Sequence, residues 1–156
     1  MFRTGPHLLR PKVVWRDMGT RLEAVALPAC VELGDGLEQP VIPLNTVYYI
    51  PTTTYAQALV LAAWLNATSV RQRAGALAER AAHGYRRFFS WVIALLPVPE
   101  AIDAMLQPGG WEAALEAHPE LVELLTLSGT LHQNPDIEGG QVKVDALVQA
   151  LYGGGR

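Results

Sequence analysis

Apolar and polar positions alternate in short runs through the first third of the chain, then gather into longer blocks after Thr52. "KVVWR" (12–16) and "LEAVALP" (22–28) are rich in β-formers and bounded by Pro11, a turn at 17–20 and Pro28, which predicts two strands. "CVEL" ahead of Gly34-Asp35-Gly36 predicts a strand entering a hairpin, because glycine tolerates the positive φ of such turns. "VIPLNTVYYIP" (41–51) resumes β character, with Pro43 marking an edge or a bulge.

At Thr52 the period changes. Thr54 and Gln57 have capping-box spacing ahead of "YAQALVLAAWLNA", a helix apolar nearly all round and therefore expected to be buried. "SVRQRAGALAERAAHG" (69–84) predicts a second helix capped by Ser69 and stopped near Gly84; Arg71, Arg73 and Arg80 cannot all face the core. Phe88, Trp91, Val92, Leu95 and Leu96 recur at helical spacing and are expected in the core, with Arg86 and Arg87 at its edge. Pro97 and Pro99 fix an extended exit. Residues 100–131 predict short acidic helices broken at 108–110 and at Pro119, followed by a loop (131–140) and a last helix (143–153). The expected architecture is a single α+β domain over 1–156: β-rich at 8–51, helical at 52–96, with an acidic helical tail at 99–153.

Composition narrows the classes. A chain of 156 residues, half hydrophobic and 17% charged, can bury a core without disulfides or metals. Cys30 is the one cysteine, so it is expected to be a free, buried thiol in a reducing compartment. The apolar run at 56–65 is shorter than the ~20 residues a bilayer requires, and Pro6 and Arg10 interrupt the only early apolar stretch. The expectation is a soluble, cytoplasmic protein with no membrane partner.

Charge changes the picture more. Residues 1–21 carry Arg3, Arg10, Lys12, Arg16 and Arg21 against Asp17. Residues 67–90 carry Arg71, Arg73, Arg80, Arg86 and Arg87 against Glu79. The segment between them and the tail after 90 are acidic, giving a net charge of −3 that conceals two basic islands. Exposed charges act locally because salt screens them beyond ~8 Å, so the islands favour an anionic partner despite the acidic total.

Catalytic chemistry is not legible. His7, His83, His118 and His132 have no helical i, i+4 partner and no neighbouring cysteine, so no metal site is expected. Glu112, Glu116, Glu120 and Glu123 have one-face spacing, but Pro119 interrupts it, which suits a solvated face. The terminal "YGGGR" has neither the strand nor the helix of a phosphate loop. No catalytic residue and no cofactor is expected of this chain.

Several segments together resemble the C-terminal, TaqI-like specificity domain of bacterial adenine-specific DNA methyltransferases of restriction-modification systems. They are "PKVVWRDMGTRLEAVA", "LNTVYYIP", "ALVLAAWLNA" (where relatives tend to have Leu-Asn-Ser), "GYRRFFSWVIALLPVP" and "VDALVQALYG", in order across about residues 8–152. The resemblance implies a domain that recognises a DNA target beside a separate domain that binds S-adenosylmethionine and transfers the methyl group. That family's catalytic Asn-Pro-Pro-aromatic motif is not matched here: Asn134-Pro135-Asp136-Ile137 lacks the second proline and the ring that stacks on a flipped adenine. A Gly-rich cofactor-binding turn is missing as well. The expectation is a recognition module acting on double-stranded DNA with a methyltransferase or restriction catalytic partner.

Phosphate contacts are expected from Lys12, Arg16, Arg71, Arg73, Arg86 and Arg87, because guanidinium and ammonium groups suit phosphate oxygens. Asn45, Thr46 and the Thr52–Thr54 run are candidates for base edges, with turn and capping chemistry as the competing role. Two other readings remain open: a protein-interaction scaffold with an exposed apolar face, and a small enzyme with a pocket of convergent titratable groups.

Overall fold

In the computed structural model, which describes residues 5–34, 36–44 and 46–153, eight strands precede or interrupt seven helices. The strands are β1 (Lys12–Arg16), β2 (Met18–Gly19), β3 (Ala24–Leu27), β4 (Cys30–Glu32), β5 (Glu38–Pro40), β6 (Val47–Pro51), β7 (Glu79–Arg80) and β8 (Arg86–Arg87). The helices are α1 (Tyr55–Asn66), α2 (Thr68–Leu77), α3 (Ser90–Ala94), α4 (Glu100–Leu106), α5 (Gly110–Ala117), α6 (Pro119–Gln133) and α7 (Gly140–Gly153). The chain is a single α+β domain.

Three small antiparallel sheets form, in the orders β3-β1-β6, β2-β8-β7 and β4-β5. In the first, period-two alternation turns Val13, Trp15, Ala24 and Ala26 inward, where they join Val60, Leu61, Trp64 and Leu65 of α1 in one core. Helix α1 is central: it packs on β1 and β3 and also touches α4, α6 and α7. Burial all round explains why its sequence shows no polar face. Its start carries the expected capping box, with Thr54 accepting from the Gln57 N–H while the Gln57 side chain accepts from the Thr53 and Thr54 N–H groups. The Gln57 amide then donates to the Met105 carbonyl (2.8 Å), so this buried polar group is satisfied and pins α4 to α1.

Helix α2 departs from expectation at both ends. No side chain of its own caps it; Ser69 does not, and the Thr68 N–H donates instead to Asp145 Oδ1 of α7 (2.7 Å). It stops at Leu77, well before Gly84, because Glu79 and Arg80 leave to pair with Arg86 and Arg87. The hairpin loop is Ala82, His83 and Gly84; His83 (φ 59°) and Gly84 (φ 79°) are left-handed and sit at the centre of a turn closed by the Tyr85 N–H donating to the Ala82 carbonyl (3.2 Å).

Burial pushes the Asp145 carboxyl up, but hydrogen bonds from Thr68 and Gln141, with the Arg71 charge, outweigh it and hold its pKa below 3.8. Because the folded value is depressed, the stabilisation is present above the unfolded pKa and is lost as pH falls through the folded one. Asp145→Ala is expected to cost about 0.5–2 kcal/mol, as for loss of an N-cap. Urea denaturation at neutral pH checks this, and the gap from wild type should close in acid.

Other positions also move. Met18 and Gly19 form a strand rather than a turn, residues 41–44 carry no strand, and Cys30 is exposed rather than buried. Phe88, Val92 and Leu96 are in the core as expected, but Trp91 (43% exposed) and Leu95 (61%) are not. The reason is that α3 has only five residues, so a longer helical face never forms. The breaks at 108–110 and Pro119 separate α4, α5 and α6, and α6 continues to Gln133, shortening the expected loop.

Candidate nucleic-acid interface

The second sheet joins the two basic islands. Strand β8 lies in the middle, pairing Arg87 with Met18 and Glu79, and Arg86 with Gly19 and Arg80. Hydrogen bonds fix it to the core: the Phe88 N–H donates to the Asp17 carbonyl (2.6 Å), and Trp15 Nε1 donates to the Phe88 carbonyl (2.8 Å). Arg16, Arg21 and Arg80 are exposed on or beside this ribbon. Glu23 bridges Arg16 (3.1 Å) and Arg21 (2.9 Å), and their hydrogen bonds hold its carboxyl below the usual range against a smaller effect of burial.

Arg86 and Arg87 are half-buried and committed to the fold. Arg86 donates through Nη1 to the Gly75 carbonyl of α2. Arg87 pairs with Asp17 (3.2 Å) and lies over the Phe89 ring, 4.6 Å from its centroid. Phe89 in turn stacks on Trp91 (6.5 Å between centroids) and meets Tyr48 edge-on, so the ribbon carries an aromatic row beside its charges.

Lys12 is a correction. It is fully buried on the central strand, its Nζ donates to the Val41 carbonyl (2.7 Å), and burial pushes its pKa down despite an opposing pull from Cys30. A lysine enclosed in this way cannot reach a phosphate. Lys12→Met is expected to leave DNA affinity unchanged and stability level or raised by about 1 kcal/mol, since a well-packed apolar isostere removes a buried charge. Parallel binding and thermal-denaturation measurements check both halves.

Arg71 faces a cleft beside β3 and α1 and is partly engaged by the fold. Its Nε donates to the Leu22 carbonyl and its Nη2 to Asn66 Oδ1, each at 3.0 Å. Asn66 meanwhile accepts from the Ala24 N–H (2.9 Å) and donates to the Ala24 carbonyl (2.7 Å), so its amide closes the free edge of β3 as a neighbouring strand would. Arg73 is exposed but lies over the Tyr152 ring (5.4 Å to the centroid), with α7 rather than with the ribbon. Thr46 is exposed, and its carbonyl accepts from the Asp17 N–H (3.3 Å), close to the ribbon. Asn45 lies outside the described residues. Thr52 is buried and its hydroxyl reaches the Thr54 carbonyl (2.9 Å), which leaves turn and capping chemistry as the role of that run.

Arg80 on the ribbon and Arg21, just after β2, were left out of the site by sequence reasoning. The usable signal for Arg80 was His83-Gly84 between two short polar runs, a hairpin connection written without the commoner Asn-Gly.

Among known protein families, curated proteins and solved structures, none matches this chain. Among the described residues, no group of three or more His, Cys, Asp or Glu side chains is arranged to hold a metal, and no helix is long and apolar enough to cross a membrane.

Proposed function

We propose that this chain is a DNA target-recognition module that works beside a methyltransferase or restriction catalytic domain in the cytoplasm and does no chemistry of its own. The observation that carries the reading is the β2-β8-β7 ribbon, which pairs the strand of Arg86 and Arg87 with both β7, carrying Arg80, and β2, which Arg16 and Arg21 flank in sequence. Asp17, Glu23 and Glu79 lie among these arginines, so the excess of positive charge is modest. Exposed ion pairs of this kind contribute about 0–1 kcal/mol, so a phosphate can displace a carboxylate from Arg16 or Arg21 at little cost. Exposed Tyr85 and Trp91 add flat aromatic faces next to the cations. The ordered resemblance to the specificity domain supplies the class of partner.

Binding to a mixed-sequence duplex across a salt series tests the reading. Affinity should fall steeply with salt, because each neutralised phosphate releases counterions. Salt-independent or absent binding at low salt contradicts it.

A second reading is favoured by one observation. Val31, Leu33, Ile42 and Leu44 are exposed on or beside the β4-β5 hairpin, an apolar projection suited to docking on a partner subunit. On that reading the chain is a scaffold, and a partner protein rather than DNA protects this hairpin.

A further inference from the structure

A cleft of about 470 Å³ opens between β3, α1, the end of α6 and the start of α7. Small side chains leave much of its room: Ala24 and Ala26 from β3, beside Val25, and Ala62 and Ala63 from α1, beside Leu59 and Asn66. Leu59, Leu131 and Val144 complete apolar walls, and the volume falls within the ~300–1,000 Å³ range of small-molecule sites. The occupancy of this cleft does not depend on the DNA reading, although the Arg21 charge is near enough to act on Arg71.

Among the described residues, one cation, Arg71, lines it. Arg71 is half-buried, and its two hydrogen bonds go to neutral acceptors, the Leu22 carbonyl and the Asn66 amide. Among the described residues no carboxylate lies within ion-pair distance of it. The nearby acids are already engaged: Asp145 accepts from Thr68 and Gln141, and Glu23 is shared between Arg16 and Arg21. Burial and the neighbouring Arg21 charge both press the Arg71 pKa down, against weaker support from Glu23 and Asp145, so an arriving anion relieves an existing penalty. A guanidinium has five N–H donors in a fixed fork, and two bonds leave part of that fork for a ligand. At another part of the lining, His132 is hydrogen-bonded to the Tyr55 hydroxyl (2.9 Å).

We propose that this cleft binds a small organic acid, with its carboxylate on Arg71 and a compact hydrocarbon body against the alanine and leucine walls. A single negative charge fits better than a phosphate, because the apolar walls offer nothing to replace the water around a second charge. The geometry of Arg–carboxylate pairing supplies the orientation.

Amide-resolved NMR titration of the whole chain with 4-methylpentanoate, and separately with 4-methylpentanamide, tests the proposal. The acid should shift amides of β3, the end of α6 and the start of α7, and bind at least about tenfold more tightly than the amide, the equivalent of ~1.4 kcal/mol. Arg71→Gln should reduce the acid to the level of the amide. Equal binding of the two probes overturns the proposal, as does an absence of localised shifts with about 50 mM acid, well above a ~1 mM dissociation constant. A folded Arg71→Gln that still prefers the acid overturns it too. If Arg71→Gln does not fold, the comparison of acid with amide on the wild type decides alone.

Discussion

Replacing Arg16, Arg21 and Arg80 together with glutamine is expected to weaken duplex binding by about 10²–10³-fold at low salt. The salt slope should shrink by about one for each phosphate no longer neutralised. These three are the informative choice because they are exposed and their removal leaves the backbone ladder of the ribbon intact. Only the surface pairs to Glu23 disappear, so the fold should be little affected, within about 1 kcal/mol. Arg86 and Arg87 are the wrong pair for this purpose. Truncating them removes the bond to Gly75, the ion pair with Asp17 and the packing on Phe89, so weakened binding reports a loosened ribbon as much as an unmet phosphate. Fluorescence anisotropy with matched circular dichroism separates the two effects, and unchanged affinity in the triple variant contradicts the assigned surface.

Trp64→Ala should give the largest loss of stability, about 3–5 kcal/mol, as for other large-to-small changes at buried aromatics. Trp64 is 2% exposed, and its Nε1 donates to the Tyr152 hydroxyl (3.1 Å), which itself donates to the Pro97 carbonyl (2.6 Å). The change therefore opens a cavity beside α1 and also removes the bond from α1 to Tyr152 of α7. Against a total of roughly 5–15 kcal/mol for a domain of ordinary stability, the variant is near the edge of folding. Urea denaturation reads the loss; a value under about 1 kcal/mol means the site collapses around the truncated side chain and the core is less committed than its burial implies.

What the sequence made legible was local. Thr54 and Gln57 announce the start of α1 by spacing alone, and the apolar run behind them announces its burial. The strands of the first sheet carry enough β-formers to be read directly, and Pro108 to Gly110 and Pro119 mark real helix breaks. What was not legible depended on distant partners. β2, β7 and β8 are two residues each, too short for a period-two pattern, so Arg86 and Arg87 read as a helix edge. Alternation along β1 places Lys12 on the face opposite Val13, yet the position is buried and its Nζ reaches the distant Val41 carbonyl. Arg71 looked like a surface base on α2 until the fold brought Leu22 and Asn66 to its guanidinium. Sequence separation hid these partners, and with them the difference between a structural arginine and an available one.

Selection from a pool of random duplex DNA at low salt is the most direct measurement of target recognition. The wild type should enrich one short sequence, the Arg16/Arg21/Arg80 variant should not, and Lys12→Met should enrich the same sequence as wild type. Recovery of a pool no different from the input, by a folded wild-type chain, contradicts target recognition by this domain.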